Sequence, residues 1–233
     1  MSDSTPDRAR EIVIVSAYNE AGRLAETLTA LATAFPGARV LVADDGSADA
    51  TRHVALQAGA EVAGAPRTIG KGGATTIAAE KVLALALGPD PPVFVLCDGD
   101  LGASAARLPA LVAAVRADEC DLAIAVFARK VGGGFGFAVN LSRWATRRLT
   151  GLELRAPISG QRALRAEVLP VVVPFAPRFG METAMNIDAA RGGFRIGEVE
   201  LELAHRATGK TLRGFSHRAR QLKDFALVYL NRR

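Results

Sequence analysis

The chain has 233 residues, 49% hydrophobic and 23% charged, which is enough to bury one substantial core and excludes a low-complexity or disordered chain. A net charge of +5 and a pI of about 9.7 favour anionic partners, without separating nucleic acid, phospholipid headgroups and phosphorylated substrates.

The leader, residues 1–10 (MSDSTPDRAR), is polar, is expected to be flexible, and lacks the apolar core of a secretory signal. One domain over residues 11–233 is expected to follow. EIVIVSAYNE opens it with an apolar strand that stops at a polar loop; Leu24, Leu28 and Leu31 then recur at helical spacing, and Pro36-Gly37 ends that helix. ARVLVADDGS repeats the pattern, with Asp44 and Asp45 at the strand's end; Ser47 or Asp49 suits a cap for the next helix, and Gly59 its close. AEV is a short third strand. TIGKGGATTIAAEKVLALAL is a glycine-rich loop feeding a helix whose apolar stripe takes in Ile77, Val82 and Leu85. PVFVLCDGD is a fourth strand, followed by a helix with Leu108, Leu111, Val112 and Val115 on one face; DLAIAVF is a fifth. The strands are continuously apolar rather than alternating. That predicts an α/β fold with a mostly parallel central sheet flanked by helices.

From about Arg129 the rhythm breaks. The run Phe135 to Leu149 mixes Phe137, Leu141, Trp144 and Leu149 with Arg143, Arg147 and Arg148. It suits either a helix packed on the sheet or one lying against anionic lipid. The basic tail ends in a helix with Leu222, Phe225 and Tyr229 at helical spacing, expected to pack. No apolar run approaches the roughly 18–20 residues that span a bilayer. Cys97 and Cys120 form neither a disulfide framework nor a metal-spaced pair and read as small buried residues. A cytoplasmic protein, with peripheral contact at the inner face of the membrane, is the expectation.

Polar residues gather where the strands stop: Tyr18, Asn19 and Glu20, then Asp44 and Asp45, then Asp98 and Asp100. Ligands of open α/β sheets bind beyond the carboxyl ends of the strands. Asp98-Gly99-Asp100 alone could be a turn, but acidic clusters after three strands of one sheet are better explained by a shared site. SAYNEAG is not a dinucleotide fingerprint, and Gly64 to Gly70-Lys71 does not have P-loop spacing. Two carboxylates held close together repel, and a divalent cation removes that cost while binding phosphate oxygens. The reading is a nucleotide diphosphate bound through a cation.

VSAYNE, VADDGSADAT, GKGGA and DGDLG, in this order, resemble the family-2 glycosyltransferases of the GT-A fold. SGQRALRAEVL and FRIGEVELELAHRATGKTLRGF resemble segments of the polyprenyl-phosphate mannose and glucose synthases. The likeness implies a GT-A domain whose residues 11–128 bind a nucleotide sugar and whose residues 129–233 bind an acceptor. It implies transfer of a hexose from a UDP- or GDP-sugar, with Mg²⁺ or Mn²⁺, to a phosphate-bearing acceptor, a polyprenyl phosphate. It further implies that Ala17, Tyr18, Glu20, Asp44 and Asp45 hold base and ribose, and that Gly70, Lys71 and Gly72 approach the phosphates. Asp98, with Gly99, would contact ribose or sugar, and Asp100 would bind the metal. Ser159, Gln161 and Arg162, with Arg129, Arg206 and Lys210, are expected to bind the acceptor or the diphosphate.

The subgroup carries Gln, another metal contact, two residues beyond the second Asp; this chain has Gly102, and His205 is the expected replacement. FGMETAMNID followed by AHR also resembles the glucosyl-3-phosphoglycerate synthases, which leaves a small soluble acceptor as an alternative. Glu182, expected at a helix start, either favours the helix N-terminus or acts on the acceptor or sugar, or takes a proton. Asp188 is expected to be structural. A non-catalytic sugar-nucleotide binder is the other alternative. A nucleic-acid module would leave the acidic strand ends unexplained, so no nucleic-acid partner is expected.

Overall fold

The computed structural model describes residues 10–86, 88–128, 137–203, 224 and 226–233. The apolar runs of the first half become strands because branched side chains fit a pleated surface covered on both faces. In chain order the elements are β1 (Glu11–Ala17), α1 (Ala21–Ala34), β2 (Arg39–Asp44), α2 (Thr51–Gln57), β3 (Glu61–Gly64), α3 (Lys71–Glu80), α4 (Leu83–Ala86) and β4 (Val93–Asp98). Then come α5 (Pro109–Arg116), β5 (Leu122–Phe127), α6 (Phe137–Thr150), β6 (Arg162–Leu164), α7 (Leu169–Val172), α8 (Met181–Arg191) and β7 (Ile196–Leu201).

Among the described residues, seven strands form one sheet in the order β3-β2-β1-β4-β6-β5-β7. Register decides what meets at its carboxyl edge: Ala17 lies beside Asp44, and Ser16 beside Asp98. β6 is antiparallel to both β4 and β5, an interruption that strand–helix alternation does not predict. It is only three residues long and carries an arginine, so no apolar run announces it. Running backwards, it begins at the edge where its neighbours end.

Alternate residues of β1 enter two cores. Val13 and Val15 face Leu24, Leu28, Leu31, Leu108 and Leu111, whereas Ile12 and Ile14 face Ala74, Ala78, Val82, Phe94 and Met185. Each fully buried aliphatic side chain contributes about 1.5–3 kcal/mol. Cys97 and Cys120 are buried free thiols, as expected.

Local readings fare unevenly. Val82 is buried and Ile77 packs at the core's margin, but the helix breaks after Glu80 and Leu85 is exposed. Gly59 closes α2 with φ +77°, yet the N-cap position is Ala50. Ser47 Oγ instead accepts the Asn19 N–H at 2.9 Å, and Asp49 accepts the N–H of Thr51 at 2.9 Å. α6 packs through Ser142, Ala145 and Thr146 and leaves Trp144 about half exposed, where its ring meets Tyr229 at 4.7 Å. Val228 is buried against Ala184 and Ile187, while Leu222 and Phe225 lie outside the described residues. Asp188 is structural: both of its oxygens receive the Arg232 guanidinium at 2.6 Å. No helix among the described residues is long and apolar enough to cross a membrane.

Candidate active site

A cleft of about 1730 Å³ opens along the carboxyl edge of the sheet. This exceeds the roughly 300–1,000 Å³ usual for one small ligand. Sheet order sets its lining: Asp45 and Tyr18 beyond β2 and β1, Asp98 and Asp100 beyond β4, then Ser159 to Gln161 at the start of β6. Val126 and Phe127 at the end of β5 follow, facing Val139 and Arg143 of α6.

The loops beyond β1 and β2 are knitted by side chains onto backbone. Asp45 accepts the N–H groups of Ile69 and Gly70 at 2.7 and 2.8 Å, and so shapes the loop before α3. Gly70 has φ +96°, a conformation that favours glycine. Ala17, Tyr18, Glu20, Gly70 and Gly99 all line the cleft. Two expected members do not. Asp44 is buried and accepts the Ser47 N–H at 3.2 Å. Gly72 faces away: a Cβ there would lie 1.9 Å from the carbonyl oxygen of Ala176, so its bareness lets α3 dock.

An ionic cluster occupies the floor. Lys71 Nζ lies 2.6 Å from Asp98 Oδ1 and 2.7 Å from Glu182 Oε1, joining the start of α3, the end of β4 and the first turn of α8. Burial alone would lower the Lys71 ammonium, but the two carboxylates outweigh it and hold its pKa above the ordinary lysine range. Gln161 Nε2 donates to Asp98 Oδ2 at 2.8 Å. Gly160 makes this closeness possible, because a Cβ there would lie 2.6 Å from both Asp98 Oδ2 and Lys71 Nζ. Glu182 is thus the partner of Lys71, beyond any effect on its own helix end. Gln161, expected on the acceptor, is turned to Asp98.

Asp100 differs from Asp98. Its carbonyl oxygen accepts from Arg23 at 3.3 Å, but among the described residues nothing bonds its carboxylate, which lines the cleft. The turn beyond it is held by buried Thr27, which donates to the Gly99 carbonyl and accepts the Gly102 N–H, both at 2.9 Å. Gly102 has φ +55°, and a Cβ there would sit 2.7 Å from Glu26 Oε2, so this turn favours glycine. Among the described residues no three Asp, Glu, His or Cys side chains converge to enclose a cation. A lone carboxylate in a cleft does fit Mg²⁺ or Mn²⁺ presented on a diphosphate, since such ions keep waters and take one or two carboxylates plus phosphate oxygens. His205, Arg129, Arg206 and Lys210 lie outside the described residues.

Arg162 is a correction. Its side chain is fully buried, with Nε donating to the Ser159 carbonyl at 2.8 Å, Nη1 to Asn186 Oδ1 at 2.7 Å and Nη2 to the Pro157 carbonyl at 3.2 Å. Burial pushes its pKa down to about 10, against the pull of Glu182 and Glu198. It braces the 157–161 loop against α8 and does not line the cleft. Sequence reasoning also missed Gly160, Arg143, Arg155 and Arg178 as cleft residues. Arg143 donates to the carbonyls of Leu154 and Arg155, and Arg178 stands against Gly70 with φ +54°. Only Gly160 left a signal, since it sits inside SGQR.

Residues 12–173 match the model of Glycosyl transferase family 2. The undecaprenyl-phosphate mannosyltransferase of Micrococcus luteus is 34% identical over 216 residues, spanning 87% of this chain and 86% of its own. Crystal structures of glucosyl-3-phosphoglycerate synthase from Mycobacterium tuberculosis share the fold. The complex with Mn²⁺, UDP and glucosyl-3-phosphoglycerate has a TM-score of 0.72 at 25% identity, covering 95% of this chain and 80% of that one. The complex with Mn²⁺, UDP-glucose and glycerol 3-phosphate gives 0.71 at 25% identity with the same coverage.

Proposed function

This chain belongs to glycosyl transferase family 2 and is a glycosyltransferase, and on that premise we propose that it moves a hexose from a UDP- or GDP-sugar to a polyprenyl phosphate. The observation that carries the reading is the two-sided cleft. Acids and Lys71 line it at β1, β2 and β4, while Val126, Phe127, Val139, Leu154 and Ile158 line the side toward β5. A phosphate carried on an apolar chain suits such a wall, and the Micrococcus luteus relative is named for that acceptor class.

In this reading Tyr18, Glu20 and Asp45 border the nucleoside, and Asp100 would hold Mg²⁺ or Mn²⁺. Bound there, the cation would neutralise charge on the departing diphosphate. Of the lining arginines among the described residues, Arg143 is tied to the Leu154 and Arg155 carbonyls and Arg155 to Glu198 and Glu200, which leaves Arg178 to orient a phosphate. An acceptor phosphate oxygen forms the new bond to the anomeric carbon as the bond from that carbon to the diphosphate oxygen breaks. The acceptor is already ionised at neutral pH, so no base need take a proton, which agrees with Glu182 being engaged by Lys71. Exposed Trp144, on the helix that also carries Arg147 and Arg148, suits contact with anionic headgroups, and the same helix lends Val139 and Arg143 to the cleft.

A small phosphorylated acceptor is the second reading, supported by the likeness to the Mycobacterium tuberculosis enzyme. The test is a thermal-shift panel of UDP- and GDP-sugars with and without Mn²⁺, followed by transfer to polyprenyl phosphate or to 3-phosphoglycerate. Expected are a metal-dependent rise in midpoint with one base and product on the lipid alone. Product on 3-phosphoglycerate alone overturns the lipid acceptor. An Asp100→Ala enzyme that turns over normally overturns the metal role.

A further inference from the structure

Gln161 is 2% exposed and out of reach of bulk solvent, yet it lines the cleft through its contact with Asp98. Its surroundings leave it little freedom. Its own carbonyl accepts the Ala125 N–H at 2.9 Å, tying it to β5. The residue before it, Gly160, admits no side chain, and the residue after it, Arg162, grips the Ser159 and Pro157 carbonyls. Ser159 Oγ lies 3.4 Å from Gln161 Oε1, on the side of the amide away from the NH₂ that donates to Asp98. One Asp98 oxygen thereby takes Gln161 Nε2 at 2.8 Å and the other takes Lys71 Nζ at 2.6 Å.

We propose that Gln161 is a positioning residue: its buried amide, opposite Lys71, fixes the Asp98 carboxylate as a doubly anchored acceptor facing the donor and keeps it off the cation. The proposal rests on the reading of the cleft as a nucleotide-sugar site. Two carboxylates one residue apart would otherwise compete for the same ion. Anchoring one of them from both sides divides the work, leaving Asp100 for the metal and Asp98 for the donor. A group held by neighbours that are themselves held keeps its geometry without reorganisation when substrate arrives.

The experiment compares Gln161→Met, which keeps the length and loses the N–H, with Gln161→Glu, which keeps the shape and replaces the donor by a negative charge. Both are assayed with the sugar nucleotide that wild-type enzyme turns over, chosen from UDP-glucose and GDP-mannose with MnCl₂. Binding of Mn²⁺ in the presence of UDP or GDP is followed separately by its EPR signal. Loss of one buried hydrogen bond to a charged group should lower donor kcat/KM roughly tenfold to a hundredfold in the Met variant. The Glu variant should be worse still, whereas a merely space-filling role makes Glu, the closer isostere, the milder change. Mn²⁺ affinity and acceptor KM of the Met variant should stay within about threefold, because Gln161 touches Asp98 and not Asp100.

Unchanged donor kinetics in both variants overturn the proposal, as does a Glu variant milder than Met. Joint loss of Mn²⁺ binding and donor turnover, from unfolding or otherwise, overturns it too. A wild type inert with every sugar nucleotide is a different result: it removes the functional reading on which the proposal stands.

Discussion

Replacing Lys71 with methionine tests the ionic floor of the cleft most directly, because the variant keeps the length of the side chain and removes its charge. Wild-type Lys71 makes ion pairs of 2.6 and 2.7 Å, to Asp98 and Glu182. At an effective dielectric near 20, each is a gross attraction of about 6 kcal/mol, and without the ammonium the two carboxylates would repel each other. Recovered hydration offsets much of this; breaking buried pairs costs about 3–5 kcal/mol in practice. The Lys71 and Asp98 side chains are 26% and 32% exposed, so the lower end applies, about 3 kcal/mol. For a domain of this size that lowers Tm by roughly 6–12 °C. The raised ammonium fixes the pH dependence. Stability from a lysine with an elevated folded pKa is fully present below the ordinary lysine value and is lost only as pH rises through the elevated one. The gap between wild type and variant should therefore be constant from about pH 6 to 9. The variant's cleft also gains one net negative charge, so Mn²⁺ should raise its Tm more than that of wild type. Calorimetry in EDTA and in MnCl₂ decides the matter. A variant within about 2 °C of wild type in EDTA, with an equal Mn²⁺ increment, refutes the reasoning.

Three further substitutions probe the frame around this floor. Gly160→Ala would place a Cβ 2.6 Å from Asp98 Oδ2 and Lys71 Nζ; steady-state kinetics should show at least a tenfold loss of donor kcat/KM, with about 1–3 kcal/mol of destabilisation by urea titration. Arg162→Met leaves the Ser159 and Pro157 carbonyls and Asn186 Oδ1 without their guanidinium donor, a net cost of about 2 kcal/mol. Arg162→Lys should not restore the urea midpoint, since one ammonium cannot reproduce a planar fork. Gly102→Gln puts a side chain at φ +55° against Glu26; a loss of about 1 kcal/mol by calorimetry is expected, with no gain in Mn²⁺ affinity by titration.

Much of the frame was legible in the chain because it depends on local rules. β1, β2, β4 and β5 are mainly apolar runs, and β2 and β4 end at Asp44 and Asp98, charges that cannot continue a buried strand. The parallel order then brings Tyr18, Asp45 and Asp98 to one edge without further information. The missing parts depend on distant partners. Lys71 and Glu182 are 111 positions apart, and nothing near either of them specifies the other. Arg162 read as an anion binder because arginine is usually at the surface; its burial follows from β6 lying between two central strands. Gly72 shared a motif with Gly70, but helical geometry turns it toward Ala176. Leu85 followed the apolar period, and the break after Glu80 rotated it out of the core.

The reversed strand β6 has an architectural consequence. In a wholly parallel sheet every active-edge loop must also be the crossover into the next helix, so altering one disturbs the packing of both. Here the stretch from Gly151 to Gln161 arrives at that edge from outside the βα units and leaves through a three-residue strand. Grafts confined to residues 151–158, which spare the Gly160 and Gln161 that abut Asp98, should redirect acceptor choice while nucleotide affinity stays put.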